Sequence, residues 1–346
     1  MLLERVPLSA TQVMTRLVGM QAQTPMSPYL ALWSRIEGFD PLELASLLTE
    51  RRAVRIGLMR GTIHLVTGDD AIALRPVTQP VHDRAWSSSA FRRDLEGVDM
   101  PDLVGMSRVL LDERPLSAAE LGPLLAARWP DRPPGSLAYA SRFLLPLVQV
   151  PPRGLWGRSG LARHTTAEAW LGRPLDGEGS PDAAILRYLA AFGPATVADI
   201  RTWSWLTGVR EVVERLRPGL RSFRDEQGRE LLDVPDGQLP DPGSPAPPRF
   251  LPDYDNVFLS HEDRSRIDGA MSFPWGPPSW GALLVDGFIN GRWRITSAKG
   301  TARLDIETRA RLSASDEAAV TEEGARLLLF MVPGAASTEI RFGLTS

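Results

Sequence analysis

Pro115-Leu116-Ser117-Ala118-Ala119-Glu120-Leu121 reads as a helix start. Ser117 is placed to cap the first turn, and Glu120, three residues on, can reach back to the cap residue. The same pattern returns at Pro194-Ala195-Thr196-Val197-Ala198-Asp199-Ile200, with Thr196 as cap and Asp199 as a shorter partner. A weaker third copy is Pro7-Leu8-Ser9-Ala10-Thr11-Gln12-Val13. In the two clear copies a helix precedes the cap (103–111 and 183–191), a second follows it, and a third comes at 136–147 and 210–216. Short alternating strands then close each unit. They are expected at 147–150 and 154–157, joined by Pro151-Pro152-Arg153, and at 220–224 and 230–234, joined by a turn over 225–229. Three helices and a β-hairpin make a winged helix, a variant of the helix-turn-helix. Such strings also occur in other α+β proteins, so the recurrence carries the reading rather than any single copy.

Outward from these units the composition changes. Residues 239–248, Leu239-Pro240-Asp241-Pro242-Gly243-Ser244-Pro245-Ala246-Pro247-Pro248, form a linker. Beyond it, Asp286-Gly287 and Asn290-Gly291 are turn signals within an apolar stretch, and 302–307 and 338–342 alternate as strands, with a helix expected over 315–331. The last hundred or so residues therefore read as a small β-rich domain with a curved or closed, barrel-like sheet. The expected fold class is α+β, divided as 1–97, 98–178, 179–238, the linker 239–248, and 249–346.

Composition narrows the function. The 346 residues are 43% hydrophobic and 23% charged, which suits several small globular domains. No apolar run approaches the ~20 residues of a membrane helix, and the first residues lack the pattern of a secretory signal; a cytoplasmic location without membrane contact is expected. Cysteine is absent and the four histidines, His64, His82, His164 and His261, do not cluster. No metal or other cofactor is expected. A net charge of −3 argues weakly against a nucleic-acid partner. Against that, Lys299 is the only lysine, so nearly all positive charge is arginine, which grips phosphate in a bidentate way. Genome base composition would produce the same bias, and a net charge near zero can hide a basic face.

The N-terminal unit holds the most unusual side chains. A helix over 11–19 leads into Met20-Gln21-Ala22-Gln23-Thr24-Pro25. Pro25 biases Thr24 away from helix, and in an extended chain Gln21 and Gln23 project to one side. Helices at 27–36 and 40–48 follow, then a hairpin over 55–67 that bends at Arg60-Gly61 and puts Thr62, His64 and Val66 on one face. Taken alone, the two glutamines read first as caps of the preceding helix or as solvated turn residues, and Thr62 and His64 could be ordinary exposed strand residues.

Three segments in this order carry a family resemblance: Leu17-Val18-Gly19-Met20-Gln21-Ala22-Gln23-Thr24-Pro25, Met59-Arg60-Gly61-Thr62-Ile63-His64-Leu65-Val66, and Leu251-Pro252-Asp253-Tyr254-Asp255-Asn256-Val257-Phe258-Leu259-Ser260-His261-Glu262-Asp263-Arg264. With the stretch 287–294, they resemble the AlkZ/YcaQ family of winged-helix DNA glycosylases. The resemblance implies three tandem winged helices and a β-barrel arranged as a C-shaped DNA clamp. It implies a monofunctional glycosylase, active as a monomer without cofactor on double-stranded DNA carrying alkylated guanine or adenine, interstrand crosslinks included. It makes Gln21 and Gln23 the catalytic pair. Glutamine at the second position matches the AlkZ branch, tied to resistance to DNA-alkylating natural products, where the YcaQ branch has aspartate. Arg60, Thr62, His64, Asp255, Asn256, His261 and Arg264 become candidate DNA or substrate contacts. For the last four, a loop network tying the barrel to the helices is the other reading. Family members carry a helical stretch before the counterpart of Leu2-Leu3-Glu4-Arg5, and this sequence starts inside it, so either the first helix is shortened or the start codon is misassigned.

The chemistry is coherent with that implication. An N7-alkylated purine is already cationic and leaves as a neutral base without an acid. Two amides can hold a water below the anomeric carbon and present dipoles to its growing positive charge. Two rivals remain at this stage. One is a catalytically silent winged-helix DNA-binding regulator; the other is a protein-interaction module, suggested only by the pI of 5.9.

Overall fold

The computed structural model describes residues 1–177, 179–268 and 280–345. The chain forms two compact units: 10–26 with 40–237, and 1–9 with 27–39 and 238–346. The switch after Gly237 falls at the expected start of the linker, whereas 1–9 and 27–39, expected in the first module, belong to the unit of the C-terminal part.

In the larger unit, helix Ala10–Arg16 stops because Val18 (φ 53°) and Gly19 (φ 88°) turn left-handed. A Cβ at Gly19 would lie 2.5 Å from Val66 Cγ1, so only glycine lets the chain pass this close to the sheet. Strands β1 (Met20–Gln21), β2 (Ala53–Gly57), β3 (Ile63–Thr67), β4 (Leu116–Ser117), β5 (Leu147–Val150) and β6 (Arg163–Thr166) form one antiparallel sheet in the order β1-β3-β2-β5-β6-β4. The β2–β5 pairing, Arg55 with Gln149 and Ile56 with Val148, joins the β2–β3 hairpin and the β5–β6 pair in a single sheet.

Both capping boxes form, at Ser117 with Glu120 and at Thr196 with Asp199. Around them lie helices Met100–Glu113, Ala118–Ala126 and Pro134–Leu144, then Pro181–Phe192, Val197–Ser204 and Val209–Leu216. The latter set is closed by the hairpin β7 (Arg221–Arg224) and β8 (Glu230–Asp233), as expected. One core joins Ile56, Leu58, Val66 and Leu74 to Tyr188, Ile200, Trp203 and Val213, so the helices within 181–216 share apolar packing with the segment 53–81. A second core, with Leu103, Leu111, Leu121 and Leu137, lies among the helices within 100–144.

One expectation fails here. Residues 154–157 are not a strand: Gly154 (φ 93°) and Gly157 (φ 66°) are left-handed, and β6 pairs with β5 instead after a longer loop. Helix Gly68–Ser87 has no counterpart among the sequence expectations; Pro76 and Pro80 sit inside it, behind an N-cap at Thr67 with Asp69 and Asp70 in the first turn.

In the smaller unit, β9 (Arg249–Leu251), β10 (Gly281–Val285), β11 (Phe288–Ala298), β12 (Thr301–Thr308) and β13 (Ser337–Leu344) form a sheet in the order β13-β12-β11-β10-β9. β12 and β13 are parallel and the other pairs antiparallel. The expected barrel does not close: β9 and β13 are free edges of the described sheet. A parallel pair needs a crossover, here helix Ala314–Met331. Its Gly324 packs beside Leu304, Ile340 and Phe250, so the sheet buries that face against the helix rather than against itself. Asp286 (φ 51°) and Gly287 (φ 78°) make the expected hairpin turn. Asn290-Gly291 is not a turn; it lies within β11 where the register shifts, as a bulge.

Asp255 caps the short helix Asn256–Leu259 and takes two hydrogen bonds from Arg35, at 2.6 and 2.8 Å, with both side chains almost fully buried. Removing one partner leaves the other charge buried and uncompensated. Asp255→Ala is therefore expected to lower unfolding stability by roughly 3–5 kcal/mol. Urea denaturation measures this, and a loss under about 1 kcal/mol would show that Arg35 is not dependent on its partner.

Candidate active site

The site is built where β1 runs beside β3, with Gln21 opposite His64 and Met20 opposite Leu65. The connection from β2 to β3 is the tight turn Met59–Gly61, with Arg60 (φ 57°) and Gly61 (φ 67°) both left-handed. This turn brings the Arg60 guanidinium back against β1. Its Nη2 donates to Gln21 Oε1 at 3.0 Å and lies 3.2 Å from His64 Nε2, while Nη1 donates to the Trp203 carbonyl at 2.5 Å.

The tautomer of His64 follows from the donors. Arginine only donates, so Nε2 accepts and the imidazole proton sits on Nδ1, 3.0 Å from the Thr62 carbonyl that accepts it. Burial holds His64 neutral, lowering it to about 3, with the Arg60 charge adding to the effect. Burial also lowers Arg60, to about 10, which leaves it charged near neutral pH.

The two glutamines are held differently. Gln21 is 6% exposed, and its Oε1 accepts from Arg60 and lies 3.3 Å from the Thr62 hydroxyl. That hydroxyl has a second acceptor in reach, the Met59 carbonyl at 3.2 Å. Gln23 is exposed, and its Oε1 accepts one bond, from the Ile63 amide at 3.1 Å. Between them Ala22 is fully buried; its amide donates to the Ile63 carbonyl at 2.7 Å and its carbonyl accepts from Arg55 Nη2 at 2.7 Å. Among the described residues, no hydrogen-bond partner of Gln21, Gln23, Arg60 or His64 is a carboxylate.

Gln21, Gln23, Arg60, Thr62 and His64 thus come together. His64 departs from the expectation of an ordinary exposed or DNA-facing strand residue: it is 2% exposed, with Arg60 Nη2 on one ring nitrogen and the Thr62 carbonyl on the other. Its contacts orient Arg60. The remaining candidates lie in the smaller unit. Asp255 belongs to the buried pair with Arg35, in keeping with the network reading. Asn256 opens the short helix, His261 Nδ1 is 2.9 Å from the Ser260 hydroxyl, and Arg264 is exposed. Sequence reasoning missed Arg55 and Trp203. Arg55 had a signal, a cation inside the apolar run Ala53-Val54-Arg55-Ile56; the Trp203 contact is through its backbone and has none. Among the described residues, no group of three His, Asp or Glu could hold a metal, and no helix is long and apolar enough to cross a membrane.

The site of this mixed α+β chain thus holds two amides pinned to one hairpin, without a carboxylate partner among the described residues. The chain belongs to the DNA glycosylase AlkZ-like family, whose pattern matches residues 14–330. Among solved structures, its fold is similar to that of Streptomyces sahachiroi DNA glycosylase AlkZ, with a TM-score of 0.73 and 20% identity over 99% of this chain and 95% of that one. No curated protein matches it.

Burial lowers three histidines below the ordinary 6.5: His64 to about 3, His82 to about 3, with Arg75 the next cause, and His164 to about 4, with Arg142 the next. From pH 6.5 downward the unfolded chain binds protons that the folded one refuses, so this contribution to stability is full above that pH and is lost on acidification. The expected slope between pH 6 and 5 is up to ~4 kcal/mol per pH unit if all three act. Urea midpoints across that window check it, and a flat profile would mean that these imidazoles are solvated.

Proposed function

We propose that the protein is a monofunctional DNA glycosylase that hydrolyses the N-glycosidic bond of N7-alkylated purines in double-stranded DNA, bulky and crosslinked adducts included. The observation that carries this reading is the pair Gln21 and Gln23, anchored to one hairpin in a chain of a glycosylase family. The helix and hairpin units that follow favour tandem winged helices, with the glutamine-bearing unit the first of three. Every group in the scheme is on one chain, which suits a monomer, and none of them calls for a cofactor. The second glutamine fits the branch tied to resistance against alkylating natural products.

The mechanism assigns the two amides unequal parts. Gln21 Oε1 is engaged by Arg60 and faces the Thr62 hydroxyl, so Gln21 chiefly positions the segment. Gln23 Oε1 has one donor and faces solvent, leaving a lone pair for a water. That water attacks the anomeric carbon as the bond to the purine breaks. The bonding electrons pass to the cationic base, which departs neutral, and the water's spare proton goes to solvent. Amide dipoles stabilise the developing oxocarbenium less than a carboxylate would, which favours charged, labile adducts over normal bases. The only lysine, Lys299, lies on the turn between β11 and β12, so strand cleavage through a lysine Schiff base is not part of the scheme.

Single-turnover release of N7-methylguanine from a duplex tests the proposal. Gln23→Ala is expected to slow release by about 10²–10³ with DNA binding nearly intact. Gln21→Ala should slow it less, and the double variant should fall short of the product of the two effects, since Gln21 acts by positioning the segment that carries Gln23. Binding without release by the wild type would leave a DNA-binding regulator instead. Wild-type rates in Gln23→Ala would sink the mechanism.

A further inference from the structure

We propose that Trp205 recognises the positive charge of the damaged base, stacking its indole on the N7-alkylated purine; this rests on the glycosylase reading above.

Helix Val197–Ser204 ends on Trp205, whose backbone is left-handed at φ 58° and ψ 18°. Helices commonly end in that conformation, but on glycine, because a side chain there is strained. A bulky residue at such a position is an outlier, and outliers of this kind gather at functional sites. Packing does not account for it. Trp203, two residues earlier, is 4% exposed with its ring 4.8 Å from that of Tyr188, so the aromatic demand of the core is already met. Trp205 is 54% exposed, and its ring makes no aromatic or cation–π contact among the described residues.

The strained residue is nonetheless held firmly. Its amide donates to the Arg201 carbonyl at 2.7 Å, and its carbonyl accepts from Arg84. The Trp203 carbonyl accepts from Arg60, the same guanidinium that orients Gln21. Two hydrogen bonds therefore link the helix end that carries Trp205 to the glutamine that positions the reaction. The indole belongs to the rim of that network, on a backbone fixed by arginines from the long helix and from the Gln21 hairpin.

The chemistry selects the ligand. Every base offers a face on which an aromatic ring can stack. A purine alkylated at N7 also carries a positive charge, and indole is the best of the aromatic partners for a cation. Amides favour a charged base only through its lability, and an exposed tryptophan on the helix end tied to Gln21 through Arg60 adds selectivity in binding, preferring a charged base over its normal counterpart.

Two duplexes test this, one carrying N7-methylguanine and the other guanine, each on a 2′-fluoro sugar that resists cleavage. Wild type is expected to bind the charged duplex more tightly. Trp205→Ala should remove about three- to tenfold of that preference, with Trp205→Phe between the two. Trp205→Gly should lose the preference as the alanine variant does, yet unfold at a higher urea concentration because the strain is relieved. An unchanged preference in Trp205→Ala, or equal weakening on both duplexes, overturns the inference; the latter would mark general stacking. Release of N7-methylguanine from an ordinary duplex, measured alongside, separates the two claims. Wild-type release with a preference that ignores Trp205 sinks this inference alone. A wild type that neither releases nor prefers the lesion sinks the glycosylase reading and this inference with it.

Discussion

The Arg60 guanidinium is the interaction on which the site depends. It is a cation held among a glutamine amide, an imidazole and a backbone carbonyl, with no carboxylate partner among the described residues. Taking a charge out of water without a counter-ion is costly, so each neutral partner has to be in place. That requirement propagates outward. It sets the tautomer of His64, turns the Gln21 oxygen inward, and fixes the end of helix Val197–Ser204 against the first hairpin. The left-handed turn at Arg60 and Gly61 is the backbone condition for all of this, since it alone folds the side chain back over β1.

Local chemistry was legible and register was not. Ser117 with Glu120 and Thr196 with Asp199 announced their helices because a capping box involves only four consecutive residues. Asp286-Gly287 announced its hairpin for the same reason. Asn290-Gly291 carried an equally strong signal but became a bulge, because its fate was decided by pairing with β10 and β12. The barrel was misread on similar grounds: alternating strands look alike whether the next pairing is antiparallel or a parallel crossover behind a helix. The 20-residue helix Gly68–Ser87, which carries Pro76 and Pro80 inside it, had no counterpart among the sequence expectations.

The same division runs through the site. Gln21 and Gln23 stood out as a pair, whereas alternation set His64 on the face opposite Ile63 and Leu65, and the structure buries His64 and Leu65 alike, at 2% and 1% exposed. Nothing in that alternation says that β1 will dock on the edge of β3. Nor does it say that the donors for the two amides come from Arg60, Thr62 and Ile63, which makes one glutamine inward and shielded and the other outward and open. A symmetrical motif in sequence becomes an asymmetrical pair in space through strand register alone.

On the proposed function, a cation beside Gln21 looks adverse to a reaction that builds positive charge on a sugar. The arithmetic of charge resolves this. With a neutral base, bond breaking separates charge, making a sugar cation and a base anion, and a carboxylate and an acid are the usual remedies. With an N7-alkylated purine the substrate is positive before the bond breaks and remains so in the transition state; charge moves from base to sugar without being created. Repulsion from Arg60 is then felt by ground state and transition state alike, and only the part that differs between them affects the rate. The residual demand is a dipole and a water at the anomeric carbon, within reach of an open amide such as Gln23. An acid at position 21 would instead neutralise Arg60 as an ion pair, whereas the amide of Gln21 leaves the guanidinium with neutral partners only.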